Sequence, residues 1–132
     1  MIESAEEFIQ LRGSGDPAEY GRAAHDQASD DVWLDVIRRF PEYRFWVAHN
    51  KTVPVSILRI LAADSDERVR GMVARKRKLP SELVVFLARD SSESVRAATA
   101  RHRKASPEVL SALAHDSSPI VREIARRRIT EN

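Results

Sequence analysis

The chain has 132 residues, 42% of them apolar and 32% charged, a balance that excludes wholesale disorder and suits one domain with one core. Its 22 basic and 20 acidic side chains leave a net charge of +2, so charge argues for a polyanionic partner only through its placement. With no cysteine there is no disulfide, thiolate metal site or cysteine nucleophile, and no run nears the roughly 18 to 20 apolar residues of a membrane span. The opening segment, Met1 to Glu7, carries acids where a signal peptide carries bases, so the expected compartment is the cytoplasm.

Residues 1–40 read as three helices that share no period. Ser4 with Glu7 forms a capping box ahead of Phe8, Ile9 and Leu11, and Gly13-Ser14-Gly15 ends that helix. Asp16-Pro17-Ala18-Glu19 opens a second, with Asp as cap and Pro in the first turn. Ser29 opens a third, whose Val32, Trp33, Val36 and Ile37 share a face up to Phe40-Pro41. This block is expected to cap the rest of the chain.

From residue 41 the chain repeats at intervals of 26 residues, marked by Arg44, Arg70, Arg96 and Arg122. Val69, Val95 and Val121 precede three of these arginines, while Asp64, Asp90 and Asp116 share one column and Leu61, Leu87 and Leu113 another. Each unit predicts a first helix (44–50, 67–76, 93–102, 119–128) and, in three units, a second one starting at Pro54, near Pro80 and at Pro107. The expected inward pairs of the first helices are Trp46 and Val47, Met72 and Val73, Ala98 and Thr99, Ile124 and Ala125. Those of the second are Ile57-Leu58-Ile60-Leu61, Leu83-Val84-Phe86-Leu87 and Val109-Leu110-Ala112-Leu113. A period of this size marks modules that cannot bury their apolar faces alone. The expected fold is all-α: a right-handed α-α superhelix, or solenoid, of about three and a half 26-residue repeats over residues 41–132, with residues 1–40 as an irregular helical N-terminal cap.

The run from Asp64 to Ala74, followed by Leu79-Pro80-Ser81-Glu82-Leu83 and Leu87-Ala88-Arg89-Asp90, resembles the leucine-rich repeat variant family, an all-helical relative of HEAT-type repeats. The resemblance spans roughly residues 41–128; it departs where Ala74 and Ala100 give way to Arg126, and residues 1–40 lie outside it. It implies a superhelix that binds, and no reaction.

Two charged features need an account. An arginine in a helix's first turn faces the positive end of the helix dipole, so Arg44, Arg70, Arg96 and Arg122 need compensation. Asp64, Asp90 and Asp116 are the expected partners, within a unit or across to the next, which makes this column structural before it is a binding row. The second feature is a basic ridge, Arg75, Lys76, Arg77, Arg101, Arg103 and Arg127, at the ends of first helices. Bases there complement the dipole and solubilise an edge; alternatively they hold an anion. The ridge lacks interleaved aromatics for base stacking and the chain has no nucleic-acid docking motif, so nucleic acid is a secondary expectation.

Helical-repeat DNA glycosylases make an enzyme the third alternative, with Trp33, Asp35 and Trp46 its only components; the two tryptophans read as core, and no nucleophile, base and orienter assemble. The four histidines show no metal-ligand spacing, and no cofactor is expected. Val85 cannot face inward within the apolar run Leu83 to Leu87, so Arg59, Val85, Arg89 and His115 are the expected contact patch for a protein partner. The last unit lacks a second helix, leaving Ile124 and Ile129 at an end open to self-association. The expected function is therefore non-enzymatic: a scaffold for another protein, as an adaptor or an inhibitor or immunity-type protein.

Overall fold

A computed structural model describes residues 1–131, which form ten α-helices and one 3-10 turn. The chain divides into two compact units, Met1–Leu61 and the residues from Ala62 onward. No helix among the described residues is long and apolar enough to cross a membrane.

The first unit holds α1 (Ala5–Gly13), α2 (Pro17–His25), α3 (Asp30–Arg39), the 3-10 turn Pro41–Tyr43, α4 (Arg44–His49) and α5 (Val55–Leu61). The Ser4 hydroxyl accepts from Glu7 N–H at 3.0 Å, while the Glu7 carboxylate accepts from Glu3 N–H at 2.7 Å, so the capping box closes one residue earlier than the usual pattern. Asp16 and Ser29 cap α2 and α3 as their sequences predict. Phe8 and Trp33 meet edge to face with ring centroids 5.2 Å apart at the centre of the unit, both fully buried. Buried Asn50 ties α4 back to α2, its amide donating to the carbonyls of Ala23 at 2.8 Å and Asp26 at 3.0 Å.

The second unit holds α6 (Glu67–Ala74), α7 (Ser81–Leu87), α8 (Glu93–Arg101), α9 (Pro107–Leu113) and α10 (Pro119–Glu131). Val69 and Val73 of α6, Val95 and Thr99 of α8, and Val121 and Ala125 of α10 are buried, and each pair is one helical turn apart. The inward pairs shift by one residue from expectation: Val47 with Ala48, Val73 with Ala74 and Thr99 with Ala100 are buried, while Trp46, Met72, Ala98 and Ile124 are only half-buried. The buried members include the small alanines 48, 74 and 100, and the residue two positions before each is only partly covered. Pro54 precedes its helix instead of opening it, while α7 starts at Ser81, beside Pro80 as expected; the carbonyls of both prolines accept the first helical bonds. Helix α10 runs to Glu131, beyond the predicted 128.

One relay of bonds runs through the second unit. Arg70 donates from Nη1 to the Asp64 carbonyl at 2.8 Å, and from Nε and Nη2 to the two carboxylate oxygens of Asp90 at 2.8 and 3.0 Å. The Asp90 carbonyl accepts from Arg96 Nη1 at 2.9 Å, and Arg96 grips Asp116 in turn at 2.9 and 3.1 Å. The Asp116 carbonyl accepts from Arg122 at 2.7 Å. Both expected modes thus operate at once in Arg70 and Arg96: each binds the backbone carbonyl of its own turn's aspartate and the side chain of the following turn's aspartate. Asp90 and Asp116 also accept from the N–H of Ser92 and Ser118, which fixes the carboxylates for the fork.

A second set of bonds has no identical residues to mark it in the sequence. His102 is buried; its Nε2 lies 2.6 Å from the Lys76 carbonyl and its Nδ1 accepts from Lys104 N–H at 3.0 Å, which places the proton on Nε2. Arg128, 26 residues on, donates to the carbonyls of Ala100 and His102. Side chains of this column cap the carbonyls at the end of the preceding first helix.

Asp90 and Asp116 are nearly enclosed, with side-chain exposures of 6% and 9%. Burial pushes their carboxyl groups up, but the arginine forks and the serine N–H bonds outweigh it and hold both below the usual aspartate range. A lowered native pKa contributes stability that is complete above the unfolded value, about 3.9, and is lost as pH falls through the native one. Thermal unfolding of the wild type therefore weakens more steeply below about pH 4 than that of an Asp90→Asn/Asp116→Asn variant, and Asp90→Ala costs on the order of 3 kcal/mol at neutral pH because Arg70 loses its partner. Calorimetry or circular dichroism across pH checks both.

Candidate functional site: two grooves of the second unit

The first groove lies along α7. Leu83, Val84 and Leu87 point inward, which leaves Val85 and Phe86 outside at 49% and 54% exposure. Phe86 corrects the expected inward pattern: on a seven-residue helix with 3.6 residues per turn, positions 83, 84 and 87 share the buried face and 86 falls outside it. The same column is exposed at Ile60 on α5 and Ala112 on α9. Val85, Phe86, Glu82 and Arg89 line a groove of about 860 Å3 with Ala62, Ala63 and the turns carrying Asp64, Ser65, Asp90 and Ser91. Arg70 reaches its floor but is committed to Asp90.

Of the four residues expected to form a contact patch, the groove gathers Val85 and Arg89. Arg59 is exposed on α5 of the first unit, and His115 is exposed just past α9; neither lines this groove. Phe86 is the functional candidate that sequence reasoning misses, although the run Leu83 to Leu87 signals that two consecutive members must leave the buried face.

The second groove, about 550 Å3, follows the ends of α6 and α8 and is lined by Ala74, Arg75, Arg77, Ala98, Arg101, His102 and Arg103. Four of the six ridge residues therefore meet. Lys76 is half-buried beside them, and its carbonyl takes the His102 ring. Arg127 stands apart on α10, paired with Glu123 at 3.3 Å. No carboxylate lines this groove, and Arg103 donates to the Arg77 carbonyl at 3.3 Å. It is a concentrated positive site in a chain of small net charge.

The residues of the glycosylase alternative lie in the first unit and do not form a site. Trp33 is fully buried against Phe8. Both Asp35 oxygens are held by Arg39 at 2.8 and 2.7 Å, and Arg38 adds a bond at 3.2 Å. The Arg39 hydrogen bonds keep the Asp35 carboxyl below its ordinary range. Trp46 carries the Arg12 guanidinium 3.5 Å above its ring and packs against Phe45 and His49.

Comparison with protein-family models, with curated proteins and with solved structures finds no match.

Phe86 and Leu87 are neighbours with opposite roles, which gives a direct check. Leu87→Ala costs about 2 to 5 kcal/mol of folding free energy because it opens a cavity. Phe86→Ser costs distinctly less, about 1 kcal/mol, since more than half of that residue is already exposed and no enclosed cavity opens. Denaturant titration of the two variants distinguishes them.

Proposed function

We propose that this protein is a binding scaffold of leucine-rich-repeat-variant type, an α-solenoid in its repeated part, and that the α7 groove receives another protein. The observation that carries this reading is the pair Val85 and Phe86, exposed side by side on a short rigid helix between Glu82 and Arg89. An aromatic ring beside an arginine in a groove is a composition enriched at protein interfaces. Helix starts at Glu67, Glu93 and Pro119, and the recurring arginine forks, support the repeated architecture. A scaffold built this way needs little ordering to bind, so affinity is not lost to folding the receptor. An adaptor or an inhibitor of another protein both fit. A partner retained by the wild type is expected to bind about 30-fold more weakly to Phe86→Ala, the loss typical of a hot spot, and equally well to Arg101→Gln. Equal retention by Phe86→Ala refutes the reading.

A second reading is favoured by the positive groove: Arg75, Arg77, Arg101 and Arg103 without a carboxylate among them suit a phosphate-rich polymer. Four released counterions predict that binding of a labelled DNA or RNA falls roughly hundredfold between about 50 and 200 mM salt. The salt dependence flattens when Arg75 and Arg101 become glutamine. Binding insensitive to both changes excludes this groove.

A further inference from the structure

The relay of arginine forks ends at Arg122. Arg70 and Arg96 each have a carboxylate from the turn 20 residues on, but Arg122 bonds only through Nη1, to the carbonyls of Asp116 and Ser117. No carboxylate among the described residues meets its Nε or Nη2, while Nη1 holds the guanidinium in place. Two other positions obey the same logic. The residue one helical turn beyond the fork is buried in α6 and α8, as Ala74 and Ala100, but in α10 it is the exposed Arg126. Seven residues beyond Arg122, on the same helical stripe, Ile129 is 42% exposed. The face of α10 equivalent to those covered on α6 and α8 is therefore an uncovered stripe with two cations and one isoleucine.

We propose that this stripe of α10 docks an acidic segment of a partner protein, with one carboxylate closing on the Arg122 fork as Asp90 closes on Arg70. The chain itself supplies the pattern twice: a guanidinium anchored by a backbone carbonyl through Nη1 takes an aspartate through Nε and Nη2. The chemistry selects the occupant. A second copy has no spare aspartate of this column, because Asp90 and Asp116 are held by Arg70 and Arg96 and Asp64 is engaged too. A segment with two carboxylates about one helical turn apart satisfies both arginines, and its apolar neighbours cover Ile129. This surface is separate from the α7 groove and does not rest on it.

The test uses the full chain and a capped peptide of three Asp-Ser-Ser-Glu units, the sequence of residues 90–93, against its Asn-Ser-Ser-Gln counterpart. Nitrogen-detected magnetic resonance of arginine Nε–H groups reads the site directly. The acidic peptide is expected to shift the Arg122 signal saturably, about tenfold more tightly than the amide peptide, the difference a charge-assisted bidentate contact makes. Arg122→Lys, which keeps the charge and loses the fork, weakens binding by a similar factor. Arg126→Gln, at an exposed position that leaves the fold intact, weakens it about threefold, one lost surface charge pair. Phe86→Ala leaves it unchanged, so failure here and failure of the α7 reading are separable. An unmoved Arg122 signal, equal binding of the amide peptide, or shifts confined to Arg75, Arg77, Arg101 and Arg103 overturns the proposal. So does an Arg122 shift that grows with protein concentration alone, because the occupant is then a second copy.

Discussion

The second unit depends on a single difficulty and its solution: a cation placed in the first turn of a helix, where the dipole repels it. Arg70 and Arg96 are tolerated there because each guanidinium is divided between a backbone carbonyl and a carboxylate, so that no donor faces the helix end uncompensated. The arrangement constrains both sides. An aspartate that accepts two arginine bonds and a serine N–H has no freedom to rotate, and its own carbonyl is aimed at the next arginine. A buried ion pair of this kind contributes less to net stability than to register, since an apolar pair of the same volume serves stability as well. What it supplies is a single allowed offset between successive turns, which any slip by one residue would leave with an unpaired charge on each side.

The opposite ends of the same helices meet a complementary need. A helix of eight or nine residues ends with several unsatisfied carbonyls, and the ends of α6 and α8 are closed by His102, just past α8, and by Arg128 of α10. Asn50 does the corresponding work in the first unit with carbonyls of α2. The residue types differ because only donors are required: an amide, a neutral imidazole and a guanidinium all present N–H groups. Three chemically unlike side chains in one column read as variation in a sequence, whereas the arginine and aspartate columns read as identity.

That contrast explains what is legible in the sequence. Caps at Ser4, Asp16 and Ser29, the helical class and the Arg–Asp pairing follow from short-range rules in which residue type determines geometry. The direction of the pairing does not, because spacing alone allows an arginine to reach either turn, and the structure uses both through different atoms. Burial within helices is less legible for a further reason. With only seven residues, α7 has two turns, and its apolar run is longer than the face it can bury. Nothing in the run itself says which members are left out, so Phe86 reads as core while only the smaller Val85 reads as exposed.

Phe86 leaves more than half of its surface exposed on a helix whose opposite face is buried. Fitting it inward would require the helix to turn about its axis, which would expose Leu83 or Leu87 in exchange, so its exposure is a fixed consequence of a sequence that packs two faces' worth of apolar residues into two turns. The same holds for the basic groove: His102 has to sit among its arginines to close the end of α6, and the four exposed arginines around it are long enough to have found acids elsewhere on the surface. Among the described residues they bind none, whereas Arg68 and Arg127 do. The second unit therefore meets its internal demands with one set of cations, Arg70, Arg96 and Arg128, and leaves another set, together with the α7 aromatic, at its surface without a carboxylate partner among the described residues.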